Sequence, residues 1–87
     1  MNKHKIILSQ LSVEDVDKIP SLLGDINARD IFQRTPLMIA SHLGRHELIE
    51  PMVKAGADLN LLDSDDRCAM HMAVLSGSIK QLMLYIN

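Results

Sequence analysis

The stretch DIFQRTPLMIASHLGRHELIEPMVKAGADLN, residues 30–60, decides the fold of this chain of 87 residues. Thr35 followed by Pro36 predicts the start of a helix, because threonine caps free N–H groups and proline at the first helical position has none to satisfy. Apolar residues follow at helical spacing, and Gly44 suits the left-handed conformation that ends a helix. A second amphipathic stretch then runs to Gly56. The segment therefore predicts two short helices joined by a tight turn.

The same pattern recurs at an offset of 33 residues, which is the separation of Asp30 from Asp63. The residues that agree at this offset are Asp30 with Asp63, Arg34 with Arg67, Leu37 with Met70, Ala40 with Ala73 and Gly44 with Gly77. Residues 25–27 match residues 58–60 in the same way. A fixed period of this length is typical of arrays built from one supersecondary unit. The chain is therefore predicted to be an internal repeat of helix pairs.

These residues resemble the ankyrin repeat, whose pattern is D-x-x-G-x-T-P-L-H-x-A-A-x-x-G followed by a helix that ends in G-A-D-x-N. The matching positions here are Asp30, Thr35, Pro36, Leu37, Ala40, Gly44 and residues 56–60, then Asp63, His71, Ala73 and Gly77. The resemblance implies an all-α ankyrin-repeat solenoid of helix-turn-helix units stacked side by side, with about three helix pairs. It implies a single domain over 1–87, made of a degenerate N-terminal unit (1–27), a repeat (28–60) and a truncated C-terminal repeat (61–87).

Several positions depart from the family pattern. Gln33 and Asp66 replace the turn glycine, so a different or a strained turn geometry is expected. Cys68 stands where the family has the capping threonine, and we interpret it as an N-cap residue rather than a nucleophile. Pro20 and Pro51 fall inside the outer helices, which predicts that those helices are kinked or shortened.

The two ends of the chain carry further helix signals. Residues 4–11 and 13–23 predict the first helix pair, with a capping-box-like sequence that begins at Ser12. A second capping box begins at Ser78, and the helix after it is apolar on nearly every side. Terminal repeats of a solenoid ordinarily have a polar outer face. Three interpretations stay open: a second molecule covers this helix, it folds back on the first units, or the chain is a piece of a longer array.

Composition excludes several classes of function. Nine Lys and Arg residues against 11 acidic residues give a net charge of -2, so no basic excess favours nucleic acid as a partner. The apolar run at residues 6–8 is too short for a signal peptide or a membrane span. The single cysteine, Cys68, fits a reducing compartment. We expect a cytoplasmic protein that binds neither nucleic acid nor a membrane.

No group of residues has the spacing of a catalytic or metal site. His42 and His46 are separated by the helix-ending Gly44, so they do not share a helix face. The acidic run that begins at Asp63 lacks the glycine and glutamate of a calcium loop. No zinc spacing, phosphate loop or nucleophile motif occurs. The sequence predicts neither an enzyme nor a cofactor or metal.

The resemblance implies a protein that binds another protein through its turn tips and the concave face of its first helices. The tip residues are Ile31, Phe32 and Arg34, then Ser64, Asp65 and Arg67, and the inner helix positions are His42, Leu43, Leu75 and Ser76. An exposed aromatic with a neighbouring arginine favours binding. The alternative is that Phe32 packs beneath the adjacent turn.

Two functions follow as hypotheses. In the first, the chain binds, inhibits or tethers one partner protein, as an inhibitor or immunity protein of a bacterium or phage would. In the second, it is a structural or regulatory subunit that forms a homodimer through its apolar last helix. The residues of that interface would be Ile79, Met83, Leu84 and Tyr85.

Overall fold

Short helices packed side by side make up the part of the chain that the structure describes. The structure is a computed structural model, and it describes residues 2–77, 80 and 83. The elements are α1 (Lys3–Gln10), a 3₁₀ helix (Val13–Lys18), α2 (Ile19–Leu23), α3 (Pro36–His42), α4 (His46–Lys54) and α5 (Ala69–Ser76). These residues include no strand. The predicted all-α stack of helix pairs is confirmed.

Helix α3 is the centre of the stack. It packs against α1, α4 and α5. All six residues from Pro36 to Ser41 are buried, because helices cover α3 on several sides. A helix of seven residues is not stable alone in water, so this packing must stabilise it. The core continues to Leu8 in α1 and to Met72 in α5.

The ends of α3 follow the sequence signals. The Thr35 hydroxyl accepts a hydrogen bond from the N–H of Met38 (3.2 Å), and the Met38 sulfur accepts one from the N–H of Thr35 (3.4 Å). Gly44 has a positive φ of 72° and separates α3 from α4. Cys68 is the N-cap residue of α5, as predicted, but its side chain makes no capping hydrogen bond. The capping position therefore repeats, whereas the capping bond does not.

The outer helices accommodate proline in two ways. In the first unit the outer segment is divided into the 3₁₀ helix and α2, and Pro20 lies in the first turn of α2. Helix α4 continues through Pro51 and ends at Lys54. The proline removes one hydrogen bond from α4, while the burial of Leu48, Ile49 and Met52 holds that helix against the stack.

The capping box expected at Ser12 is not formed. Ser12 precedes the 3₁₀ helix, but its hydroxyl donates to the carboxylate of Asp15 (2.9 Å) instead of accepting from a backbone N–H. Val16 and Ile19 nevertheless enter the core from this segment.

Polar side chains fix each unit against the next. Arg45 donates to the carbonyl oxygens of Leu8 (2.9 Å) and Leu11 (2.6 Å), which lie at the end of α1 and lack helical partners. Asn27 donates to the carbonyl of Gly56 (3.2 Å) and accepts from the N–H of Asp58 (2.8 Å). These bonds set the register between neighbouring units. Within the described ranges, no helix has the length and apolar character needed to cross a bilayer.

Candidate functional site

The middle turn, residues 30–35, is organised around one carboxylate. One oxygen of Asp30 accepts from the N–H groups of Phe32 (2.8 Å) and Arg34 (2.8 Å). The other accepts from the Arg34 side chain (3.0 Å) and from the Asn2 side chain (2.8 Å). The Asp30 N–H closes the turn by donating to the carbonyl of Arg34 (3.0 Å). Asp30 therefore holds the backbone of the whole turn.

The last turn, residues 63–68, repeats this arrangement one unit later. Asp63 accepts from the N–H groups of Asp65 (2.8 Å) and Arg67 (2.9 Å) with one oxygen, and from the Arg67 side chain (3.1 Å) with the other. Its own N–H donates to the carbonyl of Arg67 (2.9 Å). The aspartate and arginine that match at the offset of 33 are thus a structural pair.

Hydrogen bonds lower the pKa of both turn aspartates. Burial by itself raises the pKa of Asp30, but the bonds from Asn2, Arg34 and Phe32 outweigh it, and the pKa falls below its ordinary value. Burial likewise raises the pKa of Asp63. The hydrogen bonds and charge of Arg67, together with the hydrogen bond from the N–H of Asp65, outweigh burial and lower this pKa. Both pKa values are lower in the folded chain than in the unfolded chain. The two carboxylates therefore stabilise the fold above about pH 4, and this stabilisation is lost as pH falls through the lowered pKa values.

Both turns contain a non-glycine residue in the left-handed region. Gln33 has a φ of 62° and Asp66 a φ of 59°. Each residue thus occupies the left-handed conformation that glycine would take, rather than a different turn geometry. The alternative, a strained turn, describes the structure, since the left-handed conformation brings Cβ close to the following carbonyl.

The two turns are also joined to each other. The carbonyl of Phe32 accepts from the N–H of Ser64 (2.9 Å). The Arg29 side chain donates to the carbonyls of Gln33 (3.0 Å) and Leu62 (2.8 Å) and so spans the gap between them. The side chains at the tips are therefore presented from a backbone that is fixed on both sides.

The middle turn presents an apolar tip. Ile31 is 85% exposed and Phe32 is 50% exposed, so Phe32 is not packed beneath the adjacent turn. The guanidinium carbon of Arg34 lies 4.9 Å from the centre of the Phe32 ring, within the range of a cation–π contact. Arg34 thus contacts both the ring and Asp30, which fixes the orientation of its side chain.

A cavity of about 140 Å³ lies next to this tip, on the inner helices. Five residues named from the sequence line it, namely Arg34, His42, Leu43, Arg67 and Leu75. Sequence reasoning missed four more lining residues, Lys5, Met38, Ile39 and Met72. Lys5 is notable because it comes from α1, in the degenerate unit. The offset of 33 was a usable signal, since it aligns Lys5 with Met38 and His71 on the inner helices.

The other predicted residues lie elsewhere. Ser64 and Asp65 are exposed at the last turn, and the Asp65 carboxylate accepts from Arg67 (3.2 Å). The Ser76 hydroxyl donates to the carbonyl of Ser41, which links α5 to α3. Of the predicted last-helix interface, Met83 is exposed. The remaining three residues, Ile79, Leu84 and Tyr85, lie outside the described residues.

The titratable side chains do not assemble into a metal site in the part of the chain that is described. No three His, Cys, Asp or Glu residues there lie close enough to hold an ion. Two acidic side chains of the last turn, Asp63 and Asp65, contact Arg67 within that turn. The features available for recognition are therefore the apolar tip, the inner cavity and the cations around them.

Comparison with known proteins gives one consistent result. A family model described as ankyrin repeats in three copies matches residues 5–86. The chain is 34% identical to dog inversin over 84 residues, which are 97% of this chain and 7% of inversin. It is 38% identical to the chicken nuclear factor NF-kappa-B p105 subunit over 62 residues, which are 71% of this chain and 6% of that protein. It is 33% identical to protein lin-12 of Caenorhabditis elegans over 64 residues, which are 74% of this chain and 4% of lin-12. The chain thus spans less than a tenth of the length of each of these relatives.

Proposed function

Since the chain belongs to the ankyrin-repeat family, whose repeats generally mediate protein–protein interaction, we propose that it binds one partner protein through the middle turn and the adjacent inner cavity. Binding of this kind would inhibit the partner or tether it. The ankyrin repeat is a non-catalytic module, and the proposed activity is recognition alone.

The observation that carries this proposal is the exposed pair of Phe32 and Arg34 on a rigid turn. Aromatic residues and arginine are the side chains most often found to dominate binding energy at protein interfaces. The Phe32 ring is half exposed with Arg34 at 4.9 Å from its centre, so a partner can cover the ring without any rearrangement of the turn. Preorganisation of this sort reduces the conformational entropy lost on binding.

The exposed apolar area supports the same surface. Ile31 is 85% exposed beside Phe32, and Leu75 is 66% exposed at the edge of the inner cavity. Contiguous apolar area bordered by charged groups is typical of interaction sites on soluble proteins. Arg34 contributes to both the tip and the cavity and so connects them.

The proposal is tested by identifying the partner and then measuring its affinity. A photo-reactive amino acid in place of Ile31 crosslinks a bound protein in cells, and mass spectrometry identifies it. With the purified partner, Phe32→Ala should lower the affinity by about thirtyfold, the scale of an interface residue worth about 2 kcal/mol. Isothermal titration calorimetry measures this change.

Leu22→Ala is the matched control, because Leu22 is an apolar side chain of similar exposure (42%) that lies in α2. It should leave the affinity unchanged, and denaturant unfolding should show that both variants are folded. Equal affinity of the Phe32→Ala variant and the parent chain would contradict the proposal.

Self-association is the second candidate function, and the exposure of Met83 (59%), a residue of the predicted last-helix interface, supports it. A homodimer through the last helix would bury such side chains. Light scattering coupled to size exclusion distinguishes the two candidates, since the first requires a monomer that becomes a complex only with its partner. A concentration-independent dimer that Met83→Glu dissociates would favour the second.

A further inference from the structure

Three hollows around the middle turn form one continuous track. Phe32 lines both the hollow above the N-terminal residues and the one beside α1. Lys5 and Arg34 line the hollow beside α1 and also the inner cavity. A bound segment could therefore run from the tip of the turn along α1 to Leu75 without leaving the surface.

The charge of this track differs from that of the whole chain. The chain has nine basic and 11 acidic residues, yet five of the basic ones line the track, namely Lys3, Lys5, Arg29, Arg34 and Arg67. Asp30 is the one acidic residue among the lining residues of these three hollows. Its side chain is 4% exposed, because it faces into the turn. A chain with a net charge of -2 thus presents a cationic track, which we call the groove.

The cations of the groove differ in how far they are already paired. Arg34 forms an ion pair with Asp30, and Arg67 forms ion pairs with Asp63 and Asp65. Part of the positive charge of both arginines is therefore neutralised within the turns. Lys5 is exposed, and no ion pair within the described ranges involves it. Among the three cations that line the inner cavity, Lys5 therefore has the most charge available for a ligand.

The floor of the inner cavity is apolar. Met38, Ile39, Leu43, Met72 and Leu75 line it between the cations. Its volume of about 140 Å³ is close to that of engineered apolar cavities of about 150 Å³, which hold a molecule the size of benzene. One branched aliphatic or aromatic side chain of a ligand fits such a volume.

From this arrangement we infer that the partner presents an acidic segment, in which one apolar side chain enters the inner cavity and flanking carboxylates face Lys5, Arg34 and Arg67. The inference rests on the proposed function and specifies the chemistry of its partner. Phosphates of nucleic acid would also meet these cations, but they offer no apolar side chain for the floor, and the overall negative charge of the chain opposes them.

The test uses a synthetic capped peptide Glu-Leu-Asp-Leu-Glu, its amide analogue Gln-Leu-Asn-Leu-Gln, its basic analogue Lys-Leu-Lys-Leu-Lys and a thymidine oligonucleotide. Each is titrated into the full chain and followed by NMR through the backbone amides of Arg34, Leu43 and Leu75. The acidic peptide should bind most tightly and shift these amides, and its affinity should fall with added salt as the charges are screened. Equal binding of all three peptides, or tighter binding of the oligonucleotide, would overturn the inference.

Charge reversals at two exposed lysines, one inside the groove and one outside it, provide the matched pair. Lys5→Glu should weaken binding of the acidic peptide about fivefold, the scale of one solvent-exposed ion pair. Lys18→Glu changes the net charge equally, but Lys18 is an exposed residue that lines none of the three hollows, so its effect should be less than twofold. Equal losses would mean that only net charge matters and would refute the groove. If Lys5→Glu has no effect while Phe32→Ala still removes partner binding, the inference fails and the proposed function stands.

Discussion

The middle turn and the last turn share one backbone scaffold and differ in what is attached to it. In each, an aspartate side chain accepts from two backbone N–H groups and one arginine, and the residue before the arginine has a positive φ. The middle turn presents Ile31 and Phe32 at its tip, whereas the last turn presents Ser64 and Asp65. The comparison shows that the scaffold and the recognition surface are specified by different positions.

The turns also differ in how they are supported. The middle turn contacts a neighbour on each side, since Asn2 donates to Asp30 and Ser64 donates to the carbonyl of Phe32. It is followed by a capped helix, while Cys68 gives α5 no side-chain cap. We therefore expect the same substitution to have a larger effect in the middle turn than in the last one.

The largest effect is expected from removal of the two aspartates. Asp30→Ala should lower the free energy of unfolding by about 3 kcal/mol and Asp63→Ala by about 2 kcal/mol, because buried N–H donors and an arginine lose a charged acceptor. The difference reflects the additional bond from Asn2. Urea denaturation at pH 7 measures both, with Asp65→Ala, an exposed residue of the same turn, expected to change stability by less than about 0.5 kcal/mol.

The same pair of variants has an expected pH dependence. The parent chain loses the stabilisation from these carboxylates as pH falls through their lowered pKa values. Its free energy of unfolding should therefore approach that of each variant in acid. Equal losses for the two variants at pH 7 would show that Asn2 adds nothing to the middle turn. A difference in free energy of unfolding between parent and variants that widens in acid would contradict the stabilising role of both carboxylates.

The scaffold was largely accessible from the sequence, and the recognition surface only in part. The offset of 33 and the Thr35–Pro36 signal located α3, α4 and α5, because local capping and periodicity decide short helices. The offset of 33 aligns Lys5 with positions of the inner helices, but whether its side chain lines a cavity depends on how α1 packs against α3. The bonds from Arg45 to the end of α1 could not be predicted for the same reason.

An intermediate effect is expected from the caps. Thr35→Ala should destabilise the chain by about 1 kcal/mol or more, since the N–H of Met38 loses its acceptor. Cys68→Ser should stabilise it by about 0.5–1 kcal/mol, because a hydroxyl at that position can accept from the start of α5. Cys68→Ala is the control and should give no such gain. If serine and alanine at position 68 are equivalent in thermal unfolding, the missing bond is not what distinguishes the two helices.

The smallest effect is expected at the left-handed residues, and it differs between the turns for a reason that lies in the side chains. Glycine at position 33 relieves a strain of about 1–2 kcal/mol but adds about 0.5–1 kcal/mol of backbone entropy to the unfolded chain, so Gln33→Gly should stabilise by about 0.5–1 kcal/mol. Asp66→Gly should gain less than about 0.5 kcal/mol in free energy of unfolding, because aspartate tolerates this conformation better than glutamine does.

Two further variants are the controls. Gln33→Ala keeps the strained backbone and should gain no stability, and Asp66→Asn controls for the lost charge. Denaturant unfolding of the four variants measures the differences. A larger gain at position 66 than at position 33 would show that the two backbones, although their φ values differ by only a few degrees, are not equally strained.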